Sequence, residues 1–185
     1  MARLPVLTRS DAPEQFMEAF DEETSASGGV VDSGPGSVMI YSPEMRRRAN
    51  HFVGYFRQVT DLPHKLQELA MLLTARHMDC QYIWYAHAAR GRQQGLSDAL
   101  VDALRDRRPL PDLPADEAAL VAYASEMFNN HRVSPDTYRH AVEQIGVRWL
   151  VELTTMMGYY TTLAYNANSF EIDLPEGGPE PALPV

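Results

Sequence analysis

The sequence has a single cysteine, Cys80, among its 185 residues. One cysteine excludes an internal disulfide and a CxxC redox pair. No apolar run approaches the roughly 18 residues needed to span a bilayer, and residues 1–16 contain no apolar stretch typical of a signal peptide. The simplest expectation is a protein of the reducing cytoplasm that has no membrane partner.

Basic residues are also scarce. Lysine and arginine total 16 against 25 aspartates and glutamates, which gives a net charge of −9. Nucleic acids and anionic membranes bind basic surfaces, so this balance argues against both as partners. Hydrophobic residues make up 45% of the chain, a fraction typical of globular proteins. The length is sufficient for one domain with a buried core.

Strict alternation of polar and apolar residues is rare, and so are runs rich in valine, isoleucine and threonine. The pattern therefore predicts an all-α protein. Two Ser-Pro-acid sequences, at 42–44 and 134–136, predict helix starts, because serine caps the first turn and proline fits within it. The predicted segments are a helix start near Asp11, a glycine- and serine-rich loop at 24–37, and helices at 43–59, from 62 onward, after Ser97, at 115–130 and at 147–169.

The last predicted helix, 147–169, is apolar on most of its faces. Such a surface is rarely left exposed on a monomer. We therefore expect much of it to be buried, within the bundle or against another subunit. The apolar and aromatic residues concerned are Leu150, Val151, Leu153, Met156, Met157, Tyr159 and Tyr160.

The cysteine lies in an aromatic segment, CQYIWYAH, at 80–87. On a helix, Cys80 and His87 are about two turns apart and share one face, with Cα atoms about 10.5 Å apart. Glu68, twelve residues before Cys80, would lie about 120° from that face on one straight helix. The three groups converge more easily if the chain bends near 78–79. The spacing therefore predicts two helices, one with Glu68 and the other with Cys80 and His87.

Two interpretations of this segment stay open on the residues alone. Asp79 resembles an N-cap, which would place Cys80 in the first turn of a helix, where the helix dipole favours the thiolate. Cysteine is also among the most buried residue types and often only fills apolar space. His87 suits proton transfer, because imidazole titrates near neutral pH. Since His77, Cys80 and His87 lack the spacing of a compact metal-ligand pair, we expect no metal and no cofactor.

The segment 68–96, ELAMLLTARHMDCQYIWYAHAARGRQQGL, resembles the core motif of the carboxymuconolactone decarboxylase and alkylhydroperoxidase D-like superfamily. The shared features are a glutamate, a cysteine twelve residues later, an aromatic pair, and a histidine seven residues beyond the cysteine. SPEM at 42–45 and the segment 151–170 resemble flanking parts of the same family. The resemblance thus covers about 35–173. It implies a single-domain helical bundle that forms a homo-oligomer and acts on a small molecule.

The same resemblance divides the chain into three predicted parts. Residues 1–34 would form an N-terminal helix and a loop rich in glycine and serine. Residues 35–173 would form the carboxymuconolactone decarboxylase-like helical domain. Residues 174–185 would form a proline-rich tail without regular structure.

The peroxidase branch of the superfamily uses a CxxC pair, whose two thiols cycle through a disulfide. Cys80 occupies the first thiol position, but Ile83 occupies the second and cannot act as a nucleophile. A one-cysteine thiol peroxidase with peroxiredoxin-type activity would therefore need an external thiol to resolve its sulfenic acid.

The decarboxylase branch does not need the second cysteine. The resemblance implies acid/base chemistry on a small organic acid or lactone, with His87 as the acid/base and Glu68 as its partner. In this interpretation Cys80 is a thiol that lines the pocket.

Arginines flank the motif at positions 76, 90 and 92 and can bind a substrate carboxylate, although a solvated helix face is the commoner role for any one of them. The aromatic residues can contact substrate or simply pack in a core. The predicted substrate-binding residues are Tyr82, Trp84, Arg76 and Arg90.

The sequence thus favours a decarboxylase-like enzyme with Glu68, Cys80 and His87 at its centre. The first alternative is a one-cysteine thiol peroxidase with Cys80 as the nucleophile. The second is an oligomeric binding protein that has the fold without the chemistry.

Overall fold

The protein is all-α over residues 2–185, which a computed structural model describes; this part of the chain contains no β-strand. A short 3₁₀ turn, Glu14–Phe16, precedes the first helix. None of the described helices is both long and apolar enough to cross a membrane. The helices are α1 Met17–Ser25, α2 Gly34–Met39, α3 Pro43–Gln58, α4 His64–His77, α5 Gln81–Gln93, α6 Asp98–Arg105, α7 Ala115–Asn130, α8 Pro135–Ile145 and α9 Val147–Ser169.

Two compact units make up the described chain. The first comprises the residues up to Asp61 together with Tyr165–Glu176, and the second comprises Leu62–Ala164 together with Gly177–Val185. The domain boundaries expected from the sequence, at 34/35 and 173/174, stay predictions.

The first unit has a small apolar core formed by Leu7, Phe20 and Ile40. Residues 24–37 were expected to form a loop, but that prediction is wrong at both ends, because α1 continues to Ser25 and α2 begins at Gly34. This helix forms despite its glycines because a proline lies in its first turn. The N–H groups of a first turn have no partner within the helix, so proline, which lacks an N–H group, fits there. A largely buried ion pair joins Arg46 of α3 to Glu23 of α1, with Nε and Oε2 2.9 Å apart.

The predicted helix ends are confirmed where local chemistry defines them. Ser97 caps α6 by accepting a hydrogen bond from the backbone N–H of Leu100, and Ser134 caps α8 in the same way. Ser42 precedes α3 as predicted, but its side chain forms no cap hydrogen bond. Gly95 follows α5 with a φ of 98°, a left-handed conformation that glycine adopts without strain.

The long helix α9 has the predicted bounds, and much of its apolar surface is buried. Leu153, Met156 and Met157 are at most 2% exposed, whereas Val151 is 60% exposed. Burial of the exposed part against another subunit stays a prediction.

Residues 174–185 contain no helix or strand, as the sequence predicted. The end of this tail is nevertheless part of the second unit. Leu183 is fully buried, and its carbonyl accepts a hydrogen bond from Gln81 Nε2 at 3.0 Å. Glu180 pairs with Arg92 of α5 at 2.9 Å. The tail therefore packs along α5.

Candidate active site

The candidate site is built on α4 and α5, which are joined by the short turn 78–80. The predicted bend is therefore present. Close packing of the two helices depends on Gly91 in α5. A Cβ atom at this position would lie 2.9 Å from Leu96 Cδ1 and 3.2 Å from Leu72 Cδ1 of α4. A larger residue at position 91 would push the neighbouring side chains away.

Glu68 of α4 and His87 of α5 meet across this helix pair. His87 Nδ1 lies 2.8 Å from Glu68 Oε2, and the two side chains are 9% and 14% exposed. Tyr160 of α9 packs its ring edge-to-face with the imidazole, with ring centroids 5.3 Å apart. The site thus holds a histidine ring that is fixed by a carboxylate on one edge and by an aromatic ring.

This arrangement suits proton transfer. With its proton on Nδ1, the imidazole donates to the carboxylate and keeps Nε2 available as a base. When both nitrogens are protonated, Glu68 stabilises the imidazolium, and Nε2–H can act as the acid. A carboxylate that orients an imidazole in this way is the arrangement found in catalytic triads.

The structure corrects the prediction for Asp79. This residue is not an N-cap, because its φ of 49° places it in the left-handed region between α4 and α5. Its carboxylate is bound by Arg76 and by Arg107, whose Nη2 lies 2.7 Å from Oδ1. Asp79 thus forms a long-range contact with Arg107 in the turn between α4 and α5, and such a contact cannot be predicted from the neighbouring sequence.

Cys80 itself is the N-cap residue of α5, one position before the first turn, and it is fully buried. Burial raises the pKa of the Cys80 thiol, and the nearby backbone N–H groups of Ile83 and Tyr82 offset this only in part. Desolvation thus opposes the thiolate that the helix terminus is expected to favour.

The two predicted aromatic contacts differ in accessibility. Trp84 is 1% exposed, so it belongs to the core, and its Nε1 has no hydrogen-bond partner among residues 2–185. Tyr82 is half-buried, with its ring centroid 6.3 Å from that of Tyr85. Their contact with a substrate stays a prediction.

The flanking arginines serve different purposes in the structure. Arg76 is buried and donates to the carbonyls of Arg105 at 2.8 Å and Pro184 at 3.0 Å. Arg92 binds three carboxylates, and the resulting hydrogen bonds raise its pKa although burial lowers it. Arg90 is exposed, and its role in substrate binding stays a prediction.

Two site features were not identified from the sequence. Gly91 gave no signal, because a glycine within a helix has no local marker for close packing. Tyr160 was predicted only as a residue of an apolar helix. As for metals, no group of three or more His, Cys, Asp or Glu residues in the described chain is placed to hold an ion.

Comparison with known proteins gives matches at the level of structure. No family model matches the sequence, and no curated protein matches it either. A peroxidase-related protein from Ralstonia eutropha, described as an alkylhydroperoxidase AhpD core, superposes with a TM-score of 0.73 at 16% identity, covering 95% of this chain and 93% of that one. This chain has the alkylhydroperoxidase D-like fold.

Two further structures share this AhpD-like fold. A protein of unknown function from Agrobacterium tumefaciens, suggested to be an antioxidant defence protein AhpD, has a TM-score of 0.66 at 19% identity over 74% of this chain and 94% of that one. The debrominase Bmp8, solved as a cysteine-to-alanine variant with 2,3,4-tribromopyrrole, has a TM-score of 0.69 at 13% identity over 95% of each chain. Identities this low establish the fold alone.

Proposed function

We propose that the protein is a decarboxylase-like enzyme that uses acid/base chemistry on a small organic acid or lactone. The observation that carries the proposal is the 2.8 Å contact between His87 Nδ1 and Glu68 Oε2 in a largely buried site. The carboxylate orients the imidazole and balances its charge, so that Nε2 is the atom that transfers the proton. The debrominase of the same fold binds a small ring compound, which supports a small-molecule substrate here.

The proposed step is protonation of carbon as carbon dioxide leaves. The bond between the substrate carbon and its carboxylate breaks, and the electron pair stays on that carbon. His87 in its imidazolium form gives the Nε2 proton to the carbon, and Glu68 stabilises the charged ring before the transfer. A proton from water then restores the imidazolium.

In this account Cys80 is a neutral thiol of the site. Its burial raises the pKa of the thiol, which lowers the thiolate fraction that would attack a peroxide. Ile83 stands where a resolving thiol would be needed. Both features disfavour a cycle based on cysteine oxidation.

A second candidate function is a one-cysteine thiol peroxidase with Cys80 as the nucleophile. The similarity to the peroxidase-related Ralstonia eutropha structure favours it. The cycle would oxidise the thiolate to a sulfenic acid, release the reduced peroxide as an alcohol or water, and use an external thiol to return Cys80 to its reduced form.

A carbon dioxide release assay with carboxymuconolactone tests the proposal, with peroxide consumption measured in parallel. We expect carbon dioxide release by the wild type, little release by His87→Gln, and normal release by His140→Gln, which alters an exposed histidine of α8 as a control. Peroxide consumption that depends on an added thiol, without carbon dioxide release, would favour the second candidate. A wild type inactive in both assays would contradict carboxymuconolactone as the substrate and would contradict the second candidate.

A further inference from the structure

A cavity of about 440 Å³ lies among α4, α6 and α7 in the second unit. This volume is within the range of small-molecule sites. Glu68, Cys80 and His87 are not among the residues that line it. The cavity is therefore a separate feature from the candidate active site, and the proposed function gives it no role.

The charge of this cavity is opposite to that of the chain. Its lining includes Arg76 and Arg107, and none of the described lining residues is acidic. The chain as a whole carries a net charge of −9. Asp79 binds both arginines from the adjoining turn and balances one of the two positive charges. One positive charge remains, which favours an anionic ligand.

The two arginines are held in unusual states. Arg76 is buried, and its Nε has no hydrogen-bond partner in the described part of the chain, which is costly for a guanidinium N–H group. Arg107 is 64% exposed, and its φ of 52° lies in the left-handed region that residues other than glycine rarely adopt. The accessible cation Arg107 thus lies beside the buried Arg76, whose Nη1 and Nη2 are bonded within the protein.

The rest of the wall includes both apolar and polar residues. Leu73 and Leu104 contribute aliphatic surface, and Phe128 is stacked on His77, with ring centroids 4.4 Å apart and an interplanar angle of 12°. Ser125 contributes a hydroxyl group. A ligand that fits these walls needs an apolar body as well as an anionic group.

We propose that this cavity binds a small organic carboxylate with an apolar body, held by Arg107 through the carboxylate and by Leu73 and Leu104 through the body. A planar guanidinium is the group best suited to pair with a carboxylate, and Arg107 contacts Asp79 through Nη2 alone. The site binds its ligand independently of the acid/base pair at His87.

Calorimetric titration of the full chain with benzoate, acetate and benzamide tests the proposal. Benzoate has both the charge and the apolar ring, acetate lacks the ring, and benzamide lacks the charge. We expect benzoate to bind at least about tenfold more tightly than either of the others. Acetate loses the buried apolar contact, and benzamide loses the charged hydrogen bonds. Equal affinities for benzoate and benzamide, or no benzoate binding at millimolar concentration, would overturn the proposal.

Two matched variants and a methyl NMR spectrum locate the binding. Arg107→Gln should weaken benzoate binding at least about tenfold, whereas Arg108→Gln should leave it unchanged, because this neighbouring arginine is similarly exposed but does not line the cavity. Benzoate should shift the methyl signals of Leu73 and Leu104, and His87→Gln should bind it normally. Equal affinity in the two arginine variants, or loss of binding in His87→Gln, would contradict a separate site.

Discussion

His87 on α5 and Glu68 on α4 form a direct contact of 2.8 Å between Nδ1 and Oε2, across two helices that a three-residue turn connects. The contact depends on how closely the helices pack, since both side chains are short compared with the diameter of a helix. Gly91, one turn beyond His87, permits this approach, because a methyl group there would crowd Leu72 of α4. The contact between Glu68 and His87 therefore depends on the close packing of α4 and α5.

Replacing Gly91 by alanine should destabilise the protein by about 1–2 kcal/mol, although alanine is the better helix former, because the added methyl group overpacks a buried contact. Gly54 in α3 provides a control, since a Cβ there meets nothing within 4 Å. Gly54→Ala should stabilise the protein by about 0.5–1 kcal/mol. Urea unfolding measures both, and stabilisation by both substitutions would show that α4 and α5 are not tightly packed at Gly91.

The Cys80 thiol should react slowly in the folded protein. Because burial raises its pKa, the thiolate fraction at pH 7.5 is smaller than in the unfolded chain, and access is also restricted. Alkylation by iodoacetamide, followed by mass spectrometry, should be at least about tenfold slower in buffer than in urea. Its rate should continue to rise with pH beyond about 8.5, where the rate of an ordinary cysteine levels off. Rapid stoichiometric alkylation at pH 7.5 without urea would show a reactive thiolate instead.

The raised pKa of the Cys80 thiol also determines how the stability of the protein changes with pH. A folded-state pKa above the unfolded value means that the unfolded state loses its thiol proton first as the pH rises. The contribution of Cys80 is fully present below the unfolded pKa and is lost as the pH rises through the folded one. Cys80→Ser should remove this alkaline component of the stability profile.

The C-terminal tail should contribute to stability through one residue. Leu183 is fully buried, so Leu183→Ala should cost about 2–3 kcal/mol of unfolding free energy. Val185, which is 75% exposed, provides the matched control, and Val185→Ala should change stability by less than about 0.5 kcal/mol. Chemical denaturation compares the two variants, and equal stabilities would mean that the tail is detached in solution.

Local sequence chemistry predicts much of the fold. The helices at 115–130 and 147–169 have the predicted bounds, and the serines at 97 and 134 cap helices as expected. These features depend on residues within one helical turn of each other, so they can be identified from a short window. The loop prediction at 24–37 is wrong at both ends, where α1 and α2 extend into it. At its C-terminal end, several glycines indicate a loop in the local sequence and mask the helix start that the proline indicates.

The features that sequence reasoning missed depend on contacts between distant residues. Asp79 has the residue type of an N-cap, but a salt bridge to Arg107 accompanies its left-handed conformation. The tail has the composition of a flexible linker, yet Leu183 is buried and Glu180 binds Arg92. Composition describes the tail's lack of helix correctly, but it carries no information about the surface on which the tail packs.

The pairing of Glu68 with His87 was predictable for a different reason. Helical geometry alone places Glu68 about 120° from the face of His87, so a bend was needed to bring them together. The resemblance to a known motif then indicated which residues to bring together. Their catalytic roles stay predictions.

In the proposed mechanism His87, rather than Cys80, carries the chemistry. The most direct measurement compares carbon dioxide release from carboxymuconolactone by the wild type, His87→Gln and Cys80→Ser. Loss of general acid–base catalysis should lower the rate of His87→Gln by roughly 10²–10⁴-fold, whereas Cys80→Ser should retain most of the activity. Abolished activity in Cys80→Ser together with normal activity in His87→Gln would contradict this account.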